Sequence, residues 1–282
     1  MNKIVIGFDG SAQSCDALHL GRAFAELTDA ELIVAAVLDA PFEFDTTAGR
    51  YFASVFDAAT SELPDRDFST RQVRGVSVPA GLRDVAASEQ AELVVIGSTH
   101  RGGLGRVLPG STGERLLSQA PCAVAVAPND FARHEHFGLG LVGVAFDGSD
   151  ESKLALDFAD HLAFELDARL RVITIVPATG TNGTGIPRII LQDRGRDIQG
   201  SARHELGLTA GVEFALEEGD PAAALAEHGI DLDLLVIGSR GHGPIHRALL
   251  GGVSADVMRM APCPLLVVPR TAIRRGVEAT AS

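Results

Sequence analysis

Apolar positions recur along this chain in two rhythms. Short runs over residues 3–8, 31–38, 71–76, 93–96 and 123–127 read as strands, several of them apolar at nearly every position. Between them Ala17, Leu20, Phe24 and Leu27 return at spacings of three, four and three, which is one face of a helix. Further along, Leu154, Phe158, Leu162 and Leu166 repeat every four residues. The stretch PAGLRDVAASEQ opens on a proline, which suits the first turn of a helix because its missing N–H costs little there. Strands that are apolar on both sides are expected where helices cover both faces of a parallel sheet. The pattern is βαβαβαβαβ, an α/β doubly wound arrangement with right-handed crossovers.

The pattern is written twice. KIVIGFDGS at residues 3–11 returns as GLVGVAFDGS at residues 140–149, so that Asp9 maps onto Asp147 at an offset of 138. LVVIGS at 93–98 returns as LLVIGS at 234–239, and APCAVAVAP at 120–128 as APCPLLVVP at 261–269, both at an offset of 141. Three matches in one order place a small net insertion between the first two blocks. A period this long exceeds a solenoid unit. The expectation is two tandem Rossmann-like domains, 1–132 and 133–282, each with a five-stranded parallel sheet, divided in the polar segment NDFARHEHFG.

Charge narrows the function. With 24 Lys and Arg against 37 Asp and Glu, the formal net charge is −13. Such a surface repels phosphate backbones, so nucleic acid is not an expected partner, although one small nucleotide in a locally positive pocket remains compatible. Cys15, Cys122 and Cys263 form neither a CxxC nor a disulfide framework, and read as reduced, packed thiols. The first residues run directly into a strand, and no run approaches the roughly 18 apolar residues of a membrane span. The expected location is the cytoplasm, with no membrane partner.

In an open α/β sheet the ligand sits beyond the carboxyl ends of the strands, where strand order reverses. Asp9 follows the first strand and a glycine-rich loop, GSTHRGGLGRVLPGS, follows the fourth; Asp147 and the loop from Gly238 repeat the pair. If the first and fourth strands are neighbours, carboxylate and loop face one crevice. After the loop, GSTGERLLSQ reads as a helix start, whose outward N–H groups favour a phosphate, with Ser111, Arg101 and Arg106 able to assist. The same residues have a second reading. DGS is turn and cap chemistry, and the glycines could serve turn geometry alone. The chain lacks GxxxxGK[ST], GxSxG and HExxH, and no GxGxxG opens the first helix. His242 and His246 have no carboxylate or cysteine at metal-ligand spacing, and His134 and His136 fall in the polar linker.

Taken together, VAFDGS, a GxxG followed by nine residues and a glycine, a helix, and APCPLLVV resemble the universal stress proteins in their tandem form, over nearly the whole chain. The resemblance implies an ATP site, with or without magnesium, in each domain. The motif G-x2-G-x9-G-[ST] carries over to Gly97, His100, Gly110 and Ser111, with His100 in place of the second glycine. In the second copy it carries over to Gly238, Gly241, Gly251 and Gly252, with Gly252 in place of the hydroxyl residue. It further implies Asp9 and Asp147 at the ribose or phosphate side, and Val37 and Ile175 against adenine, partly through backbone. Function is then nucleotide-dependent regulation during stress. At most, slow ATP hydrolysis would occur with Asp9 or Asp147 near a metal-bound phosphate, since no nucleophile–base pair is visible. An adenylating enzyme would need HxGH-like or SGGxDS-like motifs, and neither is present. A structural dimerisation module with decayed sites is the other alternative. The resemblance also implies pairing of the two domains through their last strands, about a pseudo-two-fold axis, and a further homodimer of chains.

Overall fold

Strand and helix alternate along the whole chain, as the two rhythms predict. The computed structural model describes residues 1–39, 45–74, 76–99, 111–133, 138–178, 188–207, 211–239 and 252–270. Two units divide the chain, Met1–Phe137 and Gly138–Ser282. The first runs β1 (Lys3–Gly7), α1 (Ala12–Thr28), β2 (Glu31–Leu38), α2 (Asp45–Glu62), β3 (Ser69–Arg74), α3 (Val78–Ser88), β4 (Leu93–Gly97), α4 (Ser111–Gln119) and β5 (Ala123–Ala127), then a short 3-10 turn at Phe131–Arg133. The second runs β6 (Leu141–Ala145), α5 (Asp150–Glu165), β7 (Arg169–Val176), α6 (Arg188–Leu206), β8 (Glu213–Glu218), α7 (Pro221–His228), β9 (Leu234–Gly238), α8 (Gly252–Met260) and β10 (Leu265–Val268).

Strand order within the first unit is β3-β2-β1-β4-β5, and within the second β8-β7-β6-β9-β10. Every one of these pairings is parallel. The chain moves outward from β1 to β3, then returns past β1 to β4. Right-handed crossovers therefore put α1 and α2 on one face and α3 and α4 on the other. The contacts agree: α1 touches α2 and α3 touches α4, as α5 touches α6 and α7 touches α8.

Burial follows this layering. Ile4, Ile6, Leu32, Ile33, Leu93 and Phe24 are fully buried between sheet and helices, each such side chain being worth about 1.5–3 kcal/mol relative to exposure. Two expectations shift. The third strand lies at Ser69–Arg74, two residues before the expected 71–76, and its side chains alternate between half-buried and exposed because it is an edge strand. On α5 the four-residue stripe coincides only in part with the buried face: Leu162 and Leu166 of the stripe are buried. Leu154 and Phe158 are only half-buried, while Ala155, Leu156, Ala159, Leu162 and Ala163 are buried. Small alanines let the helix approach closely, and they carry little hydrophobic signal. Leu27, in the last turn of α1, is 44% exposed. Both first helices are followed by a left-handed aspartate, Asp29 (φ 54°) and Asp167 (φ 51°), a residue type that tolerates this conformation.

Candidate functional site

The strands expected to be neighbours are neighbours. Ile6 of β1 lies opposite Val95 of β4, and Val144 of β6 opposite Val236 of β9. Strand order reverses at these pairs, so a crevice opens beyond their carboxyl ends in each unit.

The chain leaves β1 and β6 by the same turn, bond for bond. Phe8 N donates to Ala35 O at 3.0 Å and Phe146 N to Ile173 O at 2.8 Å, prolonging each strand by one residue. Gly10 (φ +82°) and Gly148 (φ +79°) then take the left-handed conformation that favours glycine. Ser11 N donates to Asp9 Oδ1 at 3.0 Å, and Ser149 N to Asp147 Oδ1 at 2.9 Å. Each serine caps the helix that follows, its hydroxyl accepting from Ser14 N or Ser152 N at 3.2 Å. Burial pushes the Asp9 carboxyl up, but hydrogen bonds from Ser11 and Ser14 outweigh it, and the net shift is downward. Asp9 is thus ionised at neutral pH and can only accept hydrogen bonds.

The ends of β4 and β9 are pressed against those same first turns. A Cβ on Gly97 would collide with the Gln13 carbonyl oxygen, and one on Gly238 would lie 2.8 Å from Glu151 O. Both glycines therefore have a packing requirement of their own, and their backbones lie beside the Asp-Gly-Ser turns. Helices α4 and α8 begin at Ser111 and Gly252, as the sequence predicts. Ser254 Oγ donates to Gly238 O at 3.0 Å, which fastens the N-terminal turn of α8 to the end of β9. Gly252 is exposed, and among the described residues a Cβ there would meet nothing within 4 Å.

The crevice of the second unit thus brings together Asp147, Gly238 and Gly252, and that of the first Asp9 and Gly97. Val37 is buried, and its methyls fill the space a side chain on Gly81 of α3 would need, so its side chain belongs to the core and only its backbone is available to a ligand. Ile175, its counterpart, is half-buried. His100, Gly110, Gly241 and Gly251 lie outside the described residues, as do Arg101, Arg106, His134, His136, His242 and His246 and the side chain of Ser111.

Three features escaped sequence reasoning. Tyr51 of α2, whose ring meets Phe52 edge-on at 5.3 Å, feels the charge of Asp9; burial first, and that charge second, push its phenol up. Asp16, a buried carboxylate of α1, accepts from Asp130 N at 3.0 Å and Ala132 N at 2.9 Å. Glu151 pairs with Arg270 Nε at 2.7 Å. A lone tyrosine in a helix and an aspartate in the first turns of another give no periodic signal. The third had one: Arg270 stands where the first copy has Asn129, directly after the repeated APC block.

Among the described residues no helix is long and apolar enough to cross a membrane.

Known proteins resemble this chain along its full length. A universal stress protein of Mycolicibacterium smegmatis is 29% identical, spanning 94% of this chain and 96% of its own length. One from Mycobacterium tuberculosis (strain H37Rv) is 27% identical, spanning 94% of this chain and 99% of its own. The crystal structure of a universal stress protein from Archaeoglobus fulgidus superposes with a TM-score of 0.65 at 21% identity, covering 95% of this chain and 96% of that one, a likeness of fold. The profile of the Universal stress protein family matches residues 1–128 and again 141–269. With both halves matched, and with the same turn, strand order and crevice in each, the chain belongs to the universal stress protein family and carries two of its domains in tandem.

Proposed function

We propose that each crevice binds an adenine nucleotide, ATP in the first instance, and that occupancy changes the conformation or the partners of the protein during stress. One observation, made twice, carries this reading. At the strand-order switch point of each unit, an aspartate held in a capped turn follows one strand, and the neighbouring strand is followed in the chain by a helix N-terminus. That end of a helix offers N–H groups to a phosphate, and an ionised Asp9 offers an acceptor to ribose hydroxyls. A magnesium ion brought with the triphosphate would find Asp9 or Asp147 as its carboxylate. The arrangement holds a phosphate ester. No nucleophile–base pair is visible in the sequence, and we read the protein as a regulator rather than an efficient enzyme.

A second reading has its own support. Gly97, Gly238 and Val37 each answer a packing need, and Asp9 and Asp147 each close a turn. The site residues would then persist for the fold alone, in a nucleotide-free structural module. Mass spectrometry of the purified, gently denatured chain separates the two, together with equilibrium dialysis against ATP. Co-purified or bound adenine nucleotide is expected. Repeated nucleotide-free preparations that also fail to take up ATP would overturn the proposal in favour of the second reading.

A further inference from the structure

At equivalent places the two units carry different charges. Gln13 and Glu151 both sit in the first turn of the helix after the Asp-Gly-Ser turn, against Gly97 and Gly238 respectively. Asn129 and Arg270 both follow the last strand of their unit by two residues, at the repeat offset of 141. In the first unit the two side chains are amides. Asn129 Nδ2 donates to Thr99 O at 3.3 Å, and Gln13 Oε1 is a buried oxygen without a hydrogen-bond partner among the described residues. In the second unit both positions have changed together into an ion pair. Arg270 Nε meets Glu151 Oε1 at 2.7 Å, with the carboxylate side chain 11% exposed and the guanidinium 58% exposed.

The pair lies at the crevice. Strand β9 runs between β6 and β10, so a bond from the start of α5 to the residue after β10 crosses the carboxyl end of β9. The start of α8 is fastened to that same end by Ser254. The two charges cancel only in part for a ligand there. The carboxylate is buried, where its field is weakly screened, while the guanidinium is largely in water, where screening is strong.

We infer that Glu151 and Arg270 set how much negative charge the second crevice accepts: it takes a nucleoside monophosphate in preference to a triphosphate, while the first crevice, with the uncharged Gln13 and Asn129 at the equivalent places, takes the triphosphate. The inference rests on the nucleotide reading above. The plainer account of Glu151 is a carboxylate favoured by the N-terminus of α5, with Arg270 covering it. That account predicts no change in ligand preference when the pair is replaced.

The test uses the full chain, with AMP and ATP as probes, native mass spectrometry to count bound ligands and calorimetry to rank them. AMP should fill two sites. ATP should fill one, and the second at least about tenfold more weakly, the effect of the carboxylate charge that the guanidinium leaves uncancelled. Arg270→Gln should weaken ATP at the second site by a further tenfold or so and AMP by less, since the buried carboxylate is then unopposed. The paired replacement Glu151→Gln with Arg270→Asn copies the amides of the first unit and keeps the variant testable if Arg270→Gln unfolds. It should bring the second ATP within about threefold of the first. An ATP-to-AMP preference at the second site that is the same in the paired variant and the native chain would overturn the inference while leaving the nucleotide reading standing. Binding of neither nucleotide to any form would overturn both.

Discussion

A glycine read from sequence says only that a side chain is absent. The structure says what its absence is for, and the answer differs among residues that share one motif. Gly97 and Gly238 are glycines because the first turns of α1 and α5 are pressed against them, whereas no described residue crowds Gly252. Gly97→Ala should therefore cost about 3 kcal/mol, the upper end for overpacking against backbone, and Gly238→Ala about 1–2 kcal/mol. Gly252→Ala should fall within about 0.5 kcal/mol of the native chain. Urea unfolding of the three variants tests the order; equal losses would mean the close approaches are not as described. The motif was thus legible as a motif, while the division of labour inside it was not, because packing partners lie more than 80 residues away in sequence. Cysteine chemistry was clearer from sequence alone. The thiols were expected to be packed; Cys122 and Cys263 are buried and Cys15 is half-buried, and burial pushes Cys263 up to about 12 and Cys15, helped by Glu62, up to about 11. An unfolded thiol titrates near 8.5, so folding retains the proton; this stabilisation is complete below about pH 8.5 and is lost as pH rises toward the folded value. The urea midpoint should fall between pH 8.5 and pH 11, and fall less steeply in Cys263→Ala. An identical slope in that variant would reject the assignment.

Among the elements, those with continuous apolar runs were read from sequence nearly to the residue: β1, β2, β4 and β5 form where the runs lie. The edge strand β3 was displaced by two residues because only one of its faces is covered and its alternation is weak. Helix positions were also legible, but on α5 the buried face was legible only in part, since three alanines are buried beside Leu156 and Leu162 and carry little hydrophobic signal. Least visible of all was the way α1 holds the segment beyond β5. Asp16 accepts two backbone N–H groups there, and because burial pushes its carboxyl up, it is the hydrogen bonds that keep a costly charge in place. Asp16→Ala would leave both donors without their acceptor, at about 1–3 kcal/mol. Tryptic cleavage after the exposed Arg133 should accelerate accordingly. Asp16→Asn, which keeps an acceptor without the charge, should cleave at close to the native rate. If the alanine variant is no more sensitive to trypsin than the native chain, Asp16 does not hold this segment.

At the scale of the molecule, the duplication was the most secure reading, because three blocks in one order leave little room for another account, and the strand order repeats with them. The edges of the two sheets carry the remaining expectation. Leu235 N donates to Pro264 O and Ser239 N to Val268 O, both at 3.0 Å. A parallel ladder alternates, so Leu265 and Val267 turn their backbone groups away from β9, toward the outer edge of their unit. Such an edge invites another strand. Val267→Pro removes one outward donor and leaves the β9 ladder intact. Compared with Val267→Ala, which loses a similar apolar contact, it should cost a further 1–3 kcal/mol or so if the expected pairing exists in solution. Equal stability of the two variants would mean that this donor has no partner.

The placement of Tyr51 has a practical consequence. The chain contains one tyrosine and no tryptophan, so its tyrosine emission arises from a single ring. That ring lies within the field of Asp9, beside the first crevice. A protein built as a duplicate is therefore optically single: light reports the first unit and is blind to the second. A compound that binds the first crevice is expected to change this emission, and one confined to the second unit is expected to leave it unchanged.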